Sequence, residues 1–453
     1  MKKVLVYSFY FLLLLAGYIL FGLGSMAMPD KAVEHHVRQT VGQTDLKADF
    51  WFAFLYKPNY YMDNFTDALV LNQAWCLGEE ESMNLWQRLM LVPRHRCMAD
   101  GVEQGCESLR RLTEGDMTLK IMCYPRYWHG STYLMRYLLA IDDYVVLRGL
   151  FFLLSSMLLL WVLLALAKRV GVWASALYFL AFVLVDGFMM QFSIQFLPVL
   201  LITLGGTLWV LNRKRSSLGV VFFVLGSLTA YFDLLTAPLL TWGLPLLVFI
   251  AARHTPQSLR AVDSTRSSTF GSPNLGEQLR CTFASDRGRH SSPKLGEVPE
   301  GGRSVPVVAV LASLLWAVGY AATWAAKWLL ATLTTPMNVF SDASAQASLR
   351  AAVEDYTRWG AVERNLDLVP WLYVTIAAVV LALLAVRHFN GKGWRQALVC
   401  LVVAVAPVAW YIVLGNHSYE HYWFTYRSLA VTVMGLLAAV ASLVDWRKLK
   451  VEN

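Results

Sequence analysis

The sequence predicts an all-α, polytopic transmembrane helical bundle of about ten helices, with a large external loop domain after the first. Three observations predict it. Of 453 residues, 57% are hydrophobic and only 15% charged, far from the balance of water-soluble globular chains. Apolar runs of about 20 residues recur, long enough to cross roughly 30 Å of hydrocarbon as helices. These runs are too long and too continuous for barrel strands, and in lipid each segment must satisfy its own backbone, so the spans are helices.

The first run, residues 4–24, follows Lys2 and Lys3. Ser25-Met26-Ala27 offers a signal-cleavage site, but the run exceeds the 7–15 residues usual for a signal core, which favours an uncleaved anchor. The topology is the same either way. Residues 25–145 form the external domain, which carries an aromatic-rich stretch (Phe50, Trp51, Phe52, Phe54, Tyr56, Tyr60, Tyr61) suited to a membrane interface. Spans follow at 146–167, 171–186, 194–211, 218–232 and 238–252, the last four nearly free of charge. Residues 253–304 are rich in Ser, Gly, Pro and Arg, and Ser272-Pro273-Asn274-Leu275-Gly276-Glu277 recurs as Ser292-Pro293-Lys294-Leu295-Gly296-Glu297. This segment reads as a disordered cytoplasmic insertion without chemistry. The second half, 305–453, holds spans at 305–326, 368–386, 397–414 and 428–444. Its external loop, 331–367, is expected to carry a helix around Ser344 to Trp359. No inverted repeat relates the halves, which disfavours common secondary-transporter designs.

Orientation follows from charge. With a cytoplasmic N-terminus, the inner segments hold Lys2, Lys3, Lys168, Arg169, Arg213, Lys214, Arg215, Arg387, Lys392, Arg395, Arg447, Lys448 and Lys450, whereas the short outer turns hold only Arg427. Both termini are then cytoplasmic, and the +8 net charge reflects orientation in the cell membrane rather than nucleic-acid binding. Cys76, Cys97, Cys106 and Cys123 fall in the external domain, where disulfides persist. One or two bridges are expected, and four cysteines allow three pairings among which the sequence does not choose. Cys281 and Cys400 are read as free thiols.

Charged residues at the membrane boundary are costly and therefore functional candidates. Asp186 and Asp233 each interrupt an uncharged stretch at an outer turn; the plainer role for either is a cap or turn. In Asp63-Asn64-Phe65-Thr66-Asp67, a spacing of four puts two carboxylates on one helical face, where burial or repulsion raises a pKa toward general-base duty. The alternative is an N-terminal cap, with Asp67 at the positive end of the helix dipole. Lys327, in Trp324-Ala325-Ala326-Lys327-Trp328, is placed at the external interface, where the common fate of a lysine is to snorkel. Arg427 stands on the side that the positive-inside rule disfavours, and its fork suits a phosphate. His417, Glu420 and His421 fit a His-x-x-Glu-His spacing, but no third ligand accompanies them and no metal is expected. Trp128 and His129 sit where the external domain returns to the membrane, as pocket lining or as an anchor. Asn64-Phe65-Thr66 and Asn416-His417-Ser418 are external glycosylation sequons.

One helix, then a large external loop with an early acidic residue and amphipathic segments, then many helices, is a layout similar to that of GT-C class membrane glycosyltransferases. The blocks 63–72, 127–136, 231–238, 324–328 and 421–427 also resemble those of a group of largely uncharacterised bacterial membrane proteins, over most of the chain outside 253–304. The resemblance implies transfer of a sugar from a polyprenyl-phosphate donor to an acceptor outside the membrane, with inversion and with no cofactor beyond the lipid-phosphate sugar. Asp63 is the matching base and Asp67 its alternate; Lys327, Arg427 and His421 would hold the donor phosphate, and Asp233 would orient acceptor or base. The second external turn has Asp186 alone where an Asp-x-Asp pair is expected, so no metal dependence is implied. The partners expected are a lipid-linked sugar and membrane lipid. A lipid-linked-saccharide flippase, or a polysaccharide polymerase or ligase, are the rival readings.

Overall fold

The computed structural model describes residues 2–43, 46, 48–52, 57–79, 82–116, 118–212, 218–254, 305–353, 357–446 and 448. The 255–304 insertion with its near-repeat, Cys281, and the basic residues 213–215, Arg447 and Lys450 lie outside them.

Each of the ten apolar segments is a helix. The first is α1 (Lys2–Ser25); the others are α7 (Tyr144–Arg169), α8 (Val172–Leu184), α9 (Leu197–Asn212), α10 (Leu218–Phe232), α11 (Leu239–His254), α12 (Val305–Thr334), α15 (Trp371–Arg387), α16 (Trp394–Val413) and α19 (Leu429–Ser442). Among the described residues five helices are long and apolar enough to cross a membrane: Val4–Ser25, α7, α12, α16 and Tyr422–Ser442. A sixth results if α14 (Arg358–Leu366) and α15, bent 74° to each other, form one broken span. Helices α8 to α11 have 13, 16, 15 and 16 residues; at 1.5 Å per residue they reach roughly 20–24 Å, short of a full hydrocarbon thickness. They are also the heart of the main core, with Tyr178, Phe182, Leu204, Phe222, Leu246 and Leu247 buried. By contrast α1 and α7 expose Phe9, Leu12, Leu13, Leu153, Leu160 and Trp161.

Between α1 and α7 the chain forms α2 (Asp30–Gln43), α3 (Asn64–Glu79), α4 (Leu85–Leu91), α5 (Gly105–Thr113) and α6 (Gly130–Leu139). Three two-stranded antiparallel sheets accompany them: β1 (Phe50–Phe52) with β2 (Tyr61–Asp63), β3 (Pro93–Arg96) with β6 (Lys120–Cys123), and β4 (Met98–Ala99) with β5 (Val102–Glu103). A second core of Val33, Val37, Leu71, Trp75, Leu109 and Leu139 holds these helices together and continues into Leu147 and Phe151 of α7. Arg136, fully buried, ties the join by donating to the carbonyls of Ser25 and Ala74 and to Asp30.

Two expectations for the second half are corrected. Helix α12 does not end at 326 but runs to Thr334, because its Trp-Leu-Leu-Ala-Thr-Leu continuation is apolar and is covered by α4 and by α13 (Val339–Ala351). The single helix foreseen around Ser344 to Trp359 is instead two, α13 and α14, each opened by a side-chain cap, Asn338 on Ser341 N and Thr357 on Gly360 N.

Candidate functional site

The site is built where α10 ends. Helices α10 and α12 cross in backbone contact: a Cβ on Gly226 would lie 2.0 Å from the Trp316 carbonyl oxygen, and one on Gly319 2.1 Å from that of Phe223. Small residues permit such an approach between apolar helices, and a Ser227–Thr323 hydroxyl bond of 2.7 Å fixes the register. The crossing carries Tyr320 of α12 up beside the residue that follows α10, Asp233, with Trp324 one turn further along. Other segments close on the same corner. Ser131 Oγ donates to the Phe232 carbonyl (3.0 Å) and Trp128 Nε1 to that of Thr323 (2.7 Å). Gly130 fits against Tyr231, where a Cβ would meet the ring at 2.6 Å. From α17 (Gly415–Glu420), His417 Nε2 donates to the Leu235 carbonyl (2.8 Å). From α13, Arg350 donates to the Tyr127 hydroxyl (2.6 Å) and lies over its ring at 5.5 Å.

Asp233 is the focus. It is 1% exposed, and its Oδ1 accepts from Thr236 N at 2.9 Å and from the Thr236 hydroxyl. Leu235 supplies the turn at φ 71°, a left-handed conformation rare for a branched side chain and of the kind that collects at functional sites. Oδ2 is buried and, among the described residues, has no hydrogen-bond partner; the Tyr320 hydroxyl and Trp324 Nε1 are buried too and have no partner except each other. Burial pushes Asp233 up to about 6, against the opposing pull of Thr236 and the N–H groups of Leu235 and Leu234. The charges of Asp233 and Arg350 both act on the Tyr320 hydroxyl. An i, i+4 ladder of Trp316, Tyr320, Trp324 and Trp328 runs along α12 with ring centroids 5.1, 6.2 and 5.4 Å apart, and Tyr127 joins it 5.0 Å from Trp324. His421 is exposed, yet burial among its neighbours, with the Arg350 charge, lowers it to about 4.

The other sequence candidates take definite places. Lys327 does not reach lipid headgroups: it is fully buried, its Nζ donates to the carbonyls of Leu89 (3.2 Å) and Met90 (2.9 Å) at the end of α4, and it lies 5.3 Å from the Trp128 ring. His129, 1% exposed at φ 59°, donates from Nε2 to the Tyr124 carbonyl (2.7 Å). Burial, then the charge of Lys327, lowers it to about 3, so it is neutral. Arg427, fully buried, donates to the carbonyls of Trp423 and Asn59, each at 3.1 Å, and lies 4.7 Å over Phe196. Asp186 accepts from Asn59 Nδ2 (2.8 Å) and the Tyr426 hydroxyl (2.9 Å), so Asn59 and Tyr426 bring it together with Arg427. This pair adjoins the Asp233 corner through Phe424, which stacks on His421 at 5.1 Å and meets Phe196 at 5.9 Å.

The two carboxylates of 63–67 do not share a helical face. Asp63 ends β2 and accepts from Thr66 N at 2.9 Å as the cap of α3, whereas Asp67 lies in the first helical turn. Burial, reinforced by Asp67 and Asp49, pushes Asp63 up to about 7. Asp67 is engaged by four donors: the Tyr144 hydroxyl (2.6 Å), Arg148 (3.0 Å), Ser193 Oγ and Ile194 N (both 2.9 Å). It pins α3 to α7 and to the segment leading into α9, with both carboxylate oxygens engaged. Asp63, Lys327 and Arg427 bond to different partners: Thr66 N, the carbonyls of Leu89 and Met90, and the carbonyls of Trp423 and Asn59. The four cysteines expected to supply one or two bridges are not joined to one another in this structure. Cys76, Cys97, Cys106 and Cys123 stand as separate thiols: Cys76 donates to Asn72 Oδ1, Cys106 to the Asn64 carbonyl, and Cys97 accepts from Arg111. Asn64 is 1% exposed, which removes its sequon from the surface.

Sequence reasoning missed Tyr320, Tyr127, Trp324 and Arg350 as site residues. The aromatic period of four along α12 was the available signal; nothing in the sequence around Arg350 marks it. Among the described residues no group of three or more His, Cys, Asp or Glu side chains is placed to hold a metal ion. No protein-family model, curated protein or solved structure matches the chain.

Proposed function

We propose that this chain is a GT-C-like membrane glycosyltransferase that moves a sugar from a polyprenyl-phosphate donor to an acceptor at the extracytoplasmic face, in assembly of a cell-surface glycan. One observation carries the reading: Asp233 is a buried carboxylate whose Oδ1 is held by a turn while Oδ2 has no partner among the described residues, beside an aromatic wall. A buried polar atom left without a partner is costly, and a bound substrate would satisfy it. Aromatic faces suit a sugar ring, and a carboxyl at about 6 is matched to proton abstraction near neutral pH. In this reading Asp233 takes over the base role that the family resemblance assigns to Asp63. Its Oδ2 accepts the acceptor hydroxyl's proton as that oxygen bonds to the anomeric carbon, the bond from that carbon to the phosphate oxygen breaks, and polyprenyl phosphate departs.

All ten apolar helices lie in the membrane in this account, the four short ones inside the bundle, with both termini cytoplasmic and the Asp233 corner outside. The crowding of unusual polar residues at one end of the bundle supports surface chemistry over a conduction path.

The test is sugar transfer in proteoliposomes from a panel of polyprenyl-phosphate sugars, comparing wild type with Asp233→Asn and Asp63→Asn. Transfer by wild type and Asp63→Asn that is lost in Asp233→Asn is the expected result. No transfer from any donor, together with movement of a lipid-linked saccharide across the bilayer, would make the protein a flippase.

A further inference from the structure

We propose, resting on the glycosyl-transfer reading above, that Arg350 holds the donor's leaving group and that this group is a singly charged phosphate diester rather than a diphosphate. The argument is one of charge accounting around Asp233. The neighbouring cations are already engaged: Lys327 by two carbonyls, Arg427 by two carbonyls, Arg94 by Glu103 and Arg126 by Asp342. Arg350 differs. Its one hydrogen-bond partner is the neutral Tyr127 hydroxyl rather than a carbonyl or a carboxylate, and its guanidinium lies over the Tyr127 ring. A half-buried guanidinium without an anion is poorly compensated, and its planar fork fits two phosphate oxygens.

The groups around it add no second positive charge. His417 and His421 both feel the Arg350 charge, and burial keeps both neutral at pH 7. His417 has its Nε2 proton on the Leu235 carbonyl and so contributes orientation, not charge. A donor diester brings one negative charge, which Arg350 offsets. As the reaction proceeds, Asp233 loses its charge on taking the proton while the departing phosphate gains one, so the total in the site is constant and the new charge develops next to Arg350. A diphosphate would bring a further negative charge beside an ionised Asp233, and the remaining described guanidinium near His421, that of Arg364, is already held by the Tyr419 carbonyl and the rings of Tyr419 and Tyr422.

The test is binding to the full-length protein in detergent micelles, read from ligand-induced shifts in thermal unfolding, using farnesyl phosphoryl glucose, a phosphate diester, and farnesyl diphosphate as probes. Wild type is expected to bind the diester and to bind the diphosphate no more tightly. Arg350→Gln should weaken diester binding about 10- to 100-fold, Arg350→Lys should recover part of it, and Arg126→Gln should leave it unchanged. Tyr127→Phe, which keeps the ring and removes the partner hydroxyl, provides a second variant that disturbs the same guanidinium, and a several-fold loss is expected. Diester binding that is absent in wild type, unchanged in the Arg350 and Tyr127 variants, or exceeded more than tenfold by the diphosphate overturns the proposal. Because binding requires no turnover, a protein that binds as described yet transfers no sugar would contradict the enzymatic reading and leave the Arg350 assignment standing.

Discussion

Asp67 and Asp233 are both about 1% exposed carboxylates near the ends of helices, and they do opposite work. Asp67 is surrounded by four donors that come from α7 and the segment leading into α9, with a guanidinium among them. Asp233 has one oxygen held by its own turn and the other left open, among side chains delivered by α6, α12, α13 and α17. Burial and charge alone therefore do not separate structure from function in this molecule. Satisfaction does: a carboxylate whose lone pairs are all taken joins elements, and one with an oxygen to spare waits for a ligand.

The comparison breaks first at Asp67. Asp67→Ala leaves Arg148 without its carboxylate and strips three further donors, so denaturant unfolding in detergent should show a loss of roughly 3–5 kcal/mol. A loss under about 1 kcal/mol would mean the pin holds nothing. Asp233→Asn should behave in the reverse way. The amide oxygen can still accept from Thr236, so folding changes little, while transfer falls by about 100-fold or more; unchanged transfer removes Asp233 from the chemistry.

The pH profiles sharpen the contrast further. A base at about 6 predicts that kcat/KM rises with pH through about 6 and then levels, and that Asp63→Asn keeps this limb. Asp63 acts instead on stability. Its carboxyl is raised in the fold, so the native state binds a proton that the unfolded chain has released; stability is full near pH 4 and declines as pH rises toward 7. Asp63→Asn should flatten that decline, by about 1–3 kcal/mol across the interval. If the wild-type curve is already flat, burial does not govern Asp63. The smallest effect concerns the four thiols: a reductant should leave the melting temperature within about 1 °C, whereas a drop of several degrees would reveal a bridge.

Much of this was legible in the sequence. The apolar runs marked ten helical segments, with α12 cut short at 326 instead of Thr334, because hydrophobic length is a local property. Asp233 stood out as a lone charge in an uncharged stretch for the same reason. What escaped notice depends on contacts between distant segments. Lys327 looked interfacial because nothing nearby in sequence announces that the end of α4 covers it. Tyr320 and Trp324 were absorbed into a uniformly apolar run, although their spacing places them on one face of α12. Arg350 sits in the last turn of α13, in a polar segment, and its meaning arises only when Tyr127, 223 positions away, arrives beneath it. The two aspartates of 63–67 were read as a pair because spacing is visible in sequence, whereas Asp67's four partners are not.

The most direct measurement is a cryo-electron-microscopy structure of the protein in lipid nanodiscs with a non-hydrolysable polyprenyl-phosphate sugar analogue. The account predicts density for the sugar between Asp233 Oδ2 and the faces of Tyr320 and Trp324, with the phosphate against Arg350. Density for the analogue at Asp63, or beside Arg427 and Asp186 with the Asp233 corner filled only by water, would contradict it.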